Sequence, residues 1–254
     1  MKHLKFFVGH KKPNFTWDGF EYIGNSSFES EYYSDLLKGL SSEFLSDYYA
    51  LFSLRHFLEK NNAIPDLITI CQYRRFVINV DIGKPFQNAA YCNQIHPDSV
   101  ENINLKSLVV PTYGQWLFGK ALRLNEGIIG NYSHYHILRD LLHFITNCID
   151  ANIIDNQIAY NILTQKVFIP APSVGTYPGS WFINSLRILE AMAFEFYKNG
   201  FIARDGYQKR SIGFILERVL SCMIFEELKK YPSNQIQPGV IAVLSEQNLL
   251  TAGG

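Results

Sequence analysis

Residues 46–76 read SDYYALFSLRHFLEKNNAIPDLITICQYRRF, and this stretch decides the fold that we predict. Its first part carries apolar and aromatic residues at helical spacing, so it predicts a helix that stops near residues 61–62. Residues 67–70 form a short apolar run typical of a buried strand, and residues 76–80 continue it or form another. A helix followed by a buried strand indicates an α/β fold, in which helices flank a central sheet.

Basic residues directly follow two of the predicted strands. Arg74 and Arg75 come just past the buried strand described above, and His10 and Lys11 follow an apolar first strand at residues 4–9. In open α/β sheets, ligands bind where the loops after different strands meet, and the donor fork of a guanidinium suits phosphate. We therefore expect a site for a phosphorylated substrate. A structural salt bridge of an arginine and a solvated basic turn at His10-Lys11 stay open as alternatives.

The composition narrows the class of protein. The chain has 254 residues, of which 47% are hydrophobic, enough for an ordinary core. Its formal charge is zero, which argues against a broad nucleic-acid-binding face. The four cysteines are widely scattered, so we expect neither a structural zinc site nor a disulfide framework, and a reducing cytoplasm fits. No apolar run approaches the roughly 18 residues that span a bilayer, so membrane contact is expected only at the surface.

The remaining pattern predicts one domain with a helical carboxyl-terminal half. Ser41 or Ser42 is expected to cap the helix of the opening stretch. We further expect irregular chain at 81–104, a strand at 105–110, a shaped loop at 168–179, and helices at 133–149, 180–200 and 208–230. The single domain 1–254 is divided into an α/β part at 1–125, a helical part at 126–231 and a tail without clear pattern at 232–254.

A polar stripe runs along the helix predicted at 133–149. Tyr132, His136, Asp140 and His143 recur at steps of four, four and three, so they share one face. His136 and Asp140 are suited to be two ligands of a metal, or a base with its orienting partner. A solvent-facing stripe is the alternative, and no third metal ligand is evident.

The helix predicted at 208–230 carries Arg210, Gly213 and Glu217 on one face. A glycine inside a helix costs about 1 kcal/mol relative to alanine, which suggests a close approach by backbone or ligand. Simple helix packing and a surface ion pair between Glu217 and Arg218 are the alternatives. The sequence has no phosphate loop, no dinucleotide-binding glycine motif, no nucleophile elbow and no Asp-x-Asp motif.

Six motifs, taken in order along the chain, resemble a bacterial glycosyltransferase family, formerly a domain of unknown function. Its best-known activity is galactofuranosyl transfer in O-antigen and capsule assembly. The matching residues are His10-Lys11 with Tyr22-Ile23-Gly24; Leu40-Ser41 with 46–50; Gln72-Tyr73-Arg74-Arg75-Phe76; Leu108-Val109-Val110-Pro111; Tyr132, His136, Asp140 and Leu141; and Arg210, Gly213, Phe214, Glu217 and Arg218. Gln72 replaces the family's histidine, Asp47 replaces a glutamate, and a Trp-Leu-Phe helix is only loosely echoed around Trp181.

The resemblance implies a GT-A-like glycosyltransferase fold with a mostly parallel central sheet and a nucleoside-diphosphate-sugar donor, with UDP as the expected nucleotide. The α/β part would bind the donor and the helical part the acceptor. The donor-binding residues that it implies are His10, Lys11, Tyr22, Gly24, Tyr73, Arg74, Arg75 and Arg210. Because no Asp-x-Asp motif is present, we expect these cations to stabilise the leaving diphosphate and assign no metal site. A divalent metal, Mg²⁺ or Mn²⁺, held by His136 and Asp140 stays open.

Transfer to a hydroxyl also needs a group that takes its proton. Asp140 and Glu217 are the carboxylates to test first, with Asp47 third, and His136 is the further candidate. A hexosyl sugar, galactofuranose in particular, and inversion at its anomeric carbon are implied by the resemblance alone.

The resemblance also implies the partners and the location of the protein. The acceptor would be a growing bacterial surface glycan, free or lipid-linked, which would place the protein in the cytoplasm, at the inner face of the cytoplasmic membrane. No nucleic acid is expected as a partner, and the sequence does not indicate an oligomeric state. Two alternatives stay open: a non-catalytic module of the same fold that binds a sugar nucleotide or a glycan, and an enzyme that acts on another phosphorylated metabolite.

Overall fold

The computed structural model of the protein describes residues 1–29, 32–86, 89–99 and 104–245. The strands are β1 His3–Val8, β2 Glu21–Ile23, β3 Leu67–Cys71, β4 Arg75–Ile78, β5 Lys84–Phe86, β6 Ala89–Ile95, β7 Trp116–Gly119, β8 Leu122–Arg123, β9 Val167–Phe168, β10 Gly175–Pro178 and β11 Ile236–Leu244. The helices are α1 Asp35–Gly39, α2 Ser42–Leu45, α3 Tyr48–Lys60, α4 Leu105–Leu108, α5 Gly127–Tyr135, α6 Leu138–Asp150, α7 Asn156–Thr164, α8 Gly179–Asn199 and α9 Ser211–Leu228. Short 3₁₀ turns occupy Pro97–Ser99, Gly206–Arg210 and Ser233–Gln235.

Nine strands of the described chain form one sheet in the order β2-β1-β3-β10-β7-β11-β6-β5, with β4 paired to β11 beside this path. β2, β1, β3, β7, β11 and β6 run in one direction, and β10, β5 and β4 run against them. The predicted mostly parallel central sheet is therefore confirmed. β8 and β9 form a separate two-stranded sheet.

Neighbouring residues of β1 show that both faces of the sheet are covered. Successive side chains of a strand point to opposite faces. Phe6 packs into the large apolar cluster that contains core residues of α3, α8 and α9. Phe7 belongs to a second cluster, where its ring lies 5.1 Å from that of Trp17 and 6.3 Å from that of Phe76. The strand was predicted at this place because a short, mainly apolar run suits a sheet buried on both faces.

The helix of the opening stretch forms, but in two pieces. Ser41 caps α2, its hydroxyl accepting a hydrogen bond from the Glu43 backbone N–H, as predicted. Ser46 then has a positive φ of 55°, which ends α2 and turns the chain before α3 begins. α3 ends at the predicted place, where Asn62 has a φ of 50°. The break at Ser46 sets the direction of the chain at Asp47, which lies between α2 and α3.

Two predictions for the middle of the chain are wrong. Residues 105–110 were expected as a strand, but they hold α4 and its end, and Leu105 and Val109 are both buried at the four-residue spacing of a helix. Residues 81–104 were expected to be irregular, yet β5 and β6 lie within them. A further strand that was not predicted is β7, whose four residues are all buried.

The segment from residue 232, expected as a tail without pattern, contains β11. This strand lies between β7 and β6 and also pairs with β4. Pro238 and Gly239 hide it from pattern analysis, since that pair usually marks a turn. Gly239 is needed because a Cβ there would lie 2.5 Å from the Ile78 carbonyl oxygen on β4. Likewise, the loop expected at 168–179 ends in β10.

The helical carboxyl-terminal half is confirmed by α5 to α9. The single helix predicted at 133–149 is two helices, because the backbone of His136 and Ile137 is extended between α5 and α6. α8 and α9 match the two helices predicted next, and side chains from both are buried in the large apolar cluster. Within the described ranges, no helix is long and apolar enough to cross a membrane.

Candidate active site

A cleft of about 610 Å³ opens at the carboxyl edge of β2, β1 and β3. These three strands are parallel neighbours, so the residues that follow each of them meet at this edge. The cleft is lined by Val8, His10, Asn25, Ser42, Glu43, Ser46, Asp47, Gln72, Tyr73, Arg74, Arg75, Gly206, Lys209 and Arg210. One wall therefore comes from the sheet edge, and the other from α2 and the 3₁₀ turn before α9.

Tyr73 gathers three basic side chains at the sheet edge. The Lys11 Nζ lies 5.2 Å and the Arg74 guanidinium carbon 5.3 Å from the centroid of the Tyr73 ring. The His10 ring meets it edge-on at 5.9 Å. Cations are attracted to the face of an aromatic ring, so Tyr73 holds the loop after β1 and the loop after β3 together. The two basic loops that the sequence predicted to meet do meet here.

Three guanidiniums of the cleft have no salt-bridge partner among the carboxylates that the structure describes. Across the described residues, Arg74, Arg75 and Arg210 make no salt bridge. Arg210 instead packs over the Phe214 ring at 5.2 Å, and its Nε has no hydrogen-bond partner in the described part of the chain. Lys209, by contrast, is paired with Glu43. The arginines are thus available to an anionic ligand, and the structural salt bridge considered for Arg74 and Arg75 is absent from the described contacts.

Asp47 is one of two carboxylates among the residues that line this basic cleft, and the other, Glu43, is paired with Lys209. Gln72 Nε2 donates a hydrogen bond to its Oδ2. Gly9 makes room for it, since a Cβ at Gly9 would lie 2.8 Å from Asp47 Oδ1. Burial raises the pKa of the Asp47 carboxyl, and nearby cations, Arg75 foremost, oppose that rise. A carboxylate with a raised pKa in a cleft is a candidate for proton transfer.

Tyr22 and Gly24 support the cleft and do not line it. The Tyr22 hydroxyl donates to the Gly9 carbonyl oxygen at 3.0 Å, which fixes the loop after β1. A Cβ at Gly24 would lie 2.7 Å from that hydroxyl oxygen. Asn25, the next residue, does line the cleft.

The face of α9 that carries Arg210, Gly213 and Glu217 packs on the turn between α2 and α3. A Cβ at Gly213 would lie 3.2 Å from both the Leu45 carbonyl oxygen and the Ser46 Cβ, so the glycine serves a close backbone approach. This packing points Arg210 into the cleft. Glu217 is half-buried behind it, 3.4 Å from Arg218, and its charge adds to the rise in the pKa of Asp47.

His136 and Asp140 lie outside the cleft. Asp140 is buried and accepts two hydrogen bonds from Arg204, from Nε at 3.2 Å and from Nη2 at 2.7 Å. The His136 ring is stacked on Phe214 with centroids 4.1 Å apart. Burial, helped by the charge of Arg218, lowers the pKa of His136 to about 4, so the imidazole is neutral at pH 7. In the described ranges, no group of three or more His, Cys, Asp or Glu side chains is arranged to hold a metal ion.

The two residues instead fasten the segment that forms the second wall. Asp140 ties down Arg204, just before the turn Gly206–Arg210. His136 stacks against Tyr207 of that turn at 5.8 Å. The neighbouring Gln208 donates from Nε2 to the Tyr135 carbonyl oxygen at 2.9 Å. The predicted single stripe is therefore split between α5 and α6, and two of its members, His136 and Asp140, position the segment from which Lys209 and Arg210 reach the cleft.

We expect Asp140→Ala to lower the free energy of unfolding by about 1–3 kcal/mol, because it removes the acceptor of two charge-assisted bonds. The loss should appear in urea unfolding curves. Affinity for a nucleoside diphosphate, the ligand class that the sequence predicts, should fall only a few-fold, since Asp140 does not line the cleft. Arg204→Ala is the matched variant and should behave alike. A hundredfold loss of turnover in Asp140→Asn with normal stability would contradict this positioning role.

Asp47 was predicted as the third candidate among the proton-accepting carboxylates. Gln72, Lys209 and Asn25 were not predicted as site residues. Gln72 and Asn25 could have been found, since each follows a strand at the predicted ligand-binding edge. The place of Asp47 in the cleft, ahead of Asp140 and Glu217, could not be predicted, because it depends on the helix break at Ser46.

No protein-family model matches the sequence, and no curated protein matches it either. Among solved structures, the chain matches the apo structure of WbbM, described as a bifunctional glycosyltransferase, with a TM-score of 0.70 and 12% sequence identity. The match covers 97% of this chain and 46% of that chain, so this chain spans less than half the length of WbbM. The likeness confirms the predicted α/β, GT-A-like glycosyltransferase fold.

Proposed function

We propose that the protein is a glycosyltransferase that moves a sugar from a nucleoside-diphosphate donor to a glycan acceptor. The observation that carries this proposal is one cleft at the carboxyl edge of the sheet, in which Arg74, Arg75 and Arg210 lack carboxylate partners among the described residues and Asp47 lies beside them. The fold shared with WbbM supports it.

The arginines would stabilise the leaving group. As the bond between the anomeric carbon and the phosphate oxygen breaks, the nucleoside diphosphate takes the electron pair and gains negative charge. Fixed cations in a partly desolvated cleft stabilise such charge strongly. Arg74 and Arg75 approach from the sheet edge and Arg210 from the turn before α9, so a diphosphate between them meets charge on two sides.

Asp47 would accept the proton of the attacking hydroxyl. The acceptor oxygen forms the new bond to the anomeric carbon, and its proton passes to the carboxylate. Asp47 suits this role because it lines the cleft and its pKa is raised. Glu217, behind the cleft, is the second candidate. The two hydrogen bonds that hold Asp140 to Arg204 make Asp140 the least suited of the three.

We also propose a class of donor, a class of acceptor and a cellular location for the protein. We propose a UDP-sugar donor with a hexosyl group, galactofuranose first among them, transferred with inversion. The acceptor would be an O-antigen or capsule glycan of a bacterium, carried on a lipid, with the protein in the cytoplasm at the inner membrane face. These statements rest on the motif resemblance, in which Tyr73, Arg74 and Arg75 belong to the most basic motif.

A donor screen tests the proposal. Purified protein is titrated with several UDP-sugars, including both ring forms of UDP-galactose, with and without Mg²⁺ or Mn²⁺, and hydrolysis is followed by UDP release. We expect binding and slow hydrolysis of one donor without added metal. Binding without any hydrolysis or transfer would favour the non-catalytic module. Dependence on metal would show that the cations do not act alone, and failure to bind any nucleotide sugar would overturn the proposal.

A further inference from the structure

Tyr207 presents an exposed aromatic ring beside the cleft. It belongs to the turn Gly206–Arg210, three of whose five residues line the cleft. Its side chain is 47% exposed, although its ring centroid lies only 4.8 Å from that of Phe214. The Arg210 guanidinium packs on the same Phe214 ring at 5.2 Å. Tyr207 and Arg210, the arginine that faces the cleft, therefore pack on the same phenylalanine ring.

The orientation of the Tyr207 ring is fixed by side chains that pack on one of its faces. His136 lies nearly parallel to it, with centroids 5.8 Å apart and planes inclined by 18°. His136 itself is stacked on Phe214 at 4.1 Å. The backbone of the turn is held by the hydrogen bond from Gln208 to the Tyr135 carbonyl oxygen. A ring that is supported on one side and open on the other is a rigid platform that loses little conformational entropy when a ligand packs on it.

The surroundings of this ring favour a carbohydrate. The C–H bonds on one face of a sugar ring pack well on the negative face of an aromatic ring, and the sugar hydroxyls stay free for hydrogen bonds. Tyr135, next to His136, is a second exposed aromatic residue of the same region at 65% exposure. Lys209, on the same turn, and its partner Glu43 form an ion pair in the cleft lining.

We propose that Tyr207 is the platform of an acceptor subsite, on which a sugar ring of the acceptor glycan packs. This rests on the proposed function, because the donor is placed at Arg74, Arg75 and Arg210. An acceptor sugar on Tyr207 then lies at the edge of the cleft and presents a hydroxyl toward its interior, where Asp47 is. Tyr207 thereby determines acceptor specificity and takes no part in donor binding.

The test separates glycan binding from nucleotide binding. Saturation-transfer NMR titrations with a panel of p-nitrophenyl hexopyranosides are run without donor, and UDP affinity is measured separately by calorimetry. We expect Tyr207→Ala to weaken glycoside binding roughly tenfold, as for loss of one stacked ring, while Tyr207→Phe retains it. UDP affinity should not change in either. Tyr160→Ala is the matched control, since Tyr160 is a 63% exposed tyrosine on α7 outside the cleft.

Each outcome bears on one proposal. Equal glycoside affinity of Tyr207→Ala and the unaltered protein overturns the subsite, as does an equal loss in Tyr160→Ala. If UDP binds and no glycoside does, the subsite proposal fails and the proposed function stands. If glycoside binding depends on Tyr207 but no nucleotide binds, the proposed function fails and the sugar platform is supported. Tyr207→Phe guards against misfolding, because it preserves the packing on Phe214.

Discussion

Arg75→Ala is expected to reduce kcat/KM for sugar transfer by about 100- to 1,000-fold, the effect of removing one fixed donor from a site of developing negative charge. Arg75 begins β4, and its backbone is held independently of its side chain: the Gln72 N–H donates to the Arg75 carbonyl oxygen at 2.9 Å. β4 stays paired to β11 by backbone bonds. The fold should therefore persist, and UDP affinity should fall with turnover.

Two further variants sharpen this expectation. Arg75→Lys keeps the charge but loses the fork that binds two phosphate oxygens, so its activity should lie between those of the alanine variant and the unaltered protein. Arg139→Ala, an exposed arginine on α6, removes one positive charge outside the cleft and should leave turnover unchanged. A well-folded Arg75→Ala protein with normal UDP affinity and normal turnover would remove Arg75 from the diphosphate site.

The parts of the fold that the sequence predicted are those with an uninterrupted local pattern. β1 and β3 are short, predominantly apolar segments, and α8 and α9 keep a helical period over about five turns. β11 could not be predicted because Pro238 and Gly239 interrupt it, and only the close approach of β4 explains the glycine. Strand pairing between distant segments decides such cases, and local propensity does not contain that information.

The candidate site divides in the same way. The edge formed by His10, Arg74 and Arg75 was predictable, because the carboxyl ends of parallel neighbours must meet. The role of His136 and Asp140 could not be predicted. Their spacing predicted one helix face, but the extended backbone at residues 136–137 separates them, and the partner Arg204, 64 residues away in sequence from Asp140, decides what Asp140 binds.

One contact, between α9 and the turn at Ser46, positions side chains on both sides of the cleft. Gly213 lets α9 approach the Ser46 turn, and that turn carries Asp47. The position of the carboxylate therefore depends on the same contact that brings Arg210 to the cleft. The proposed proton acceptor and the proposed anion site are thus positioned by one contact, which would suit the proposed glycosyl transfer because bond formation and bond breaking occur at the same carbon.

Asp47→Asn is expected to lower kcat about 1,000-fold, within the range for loss of a general base. Asparagine has the same shape, and its side-chain oxygen still accepts from Gln72. UDP affinity should be retained or increase, because a negative charge next to Arg75 is removed. The same variant should leave the free energy of unfolding unchanged or raise it, since the buried charge is lost.

The pH dependence gives an independent measurement of the same residue. The base must be ionised, so kcat should fall as the pH falls through the raised pKa of Asp47, above the ordinary range of an aspartate. Gln72→Leu removes the amide that stabilises the ionised carboxylate. The acid limb of the pH profile of kcat should therefore move to higher pH, while the plateau at high pH is kept.

Glu217→Gln and Asp140→Asn are the matched carboxylate variants, each expected to retain at least a tenth of the turnover. If Glu217→Gln instead loses the 1,000-fold and Asp47→Asn does not, Glu217 is the base.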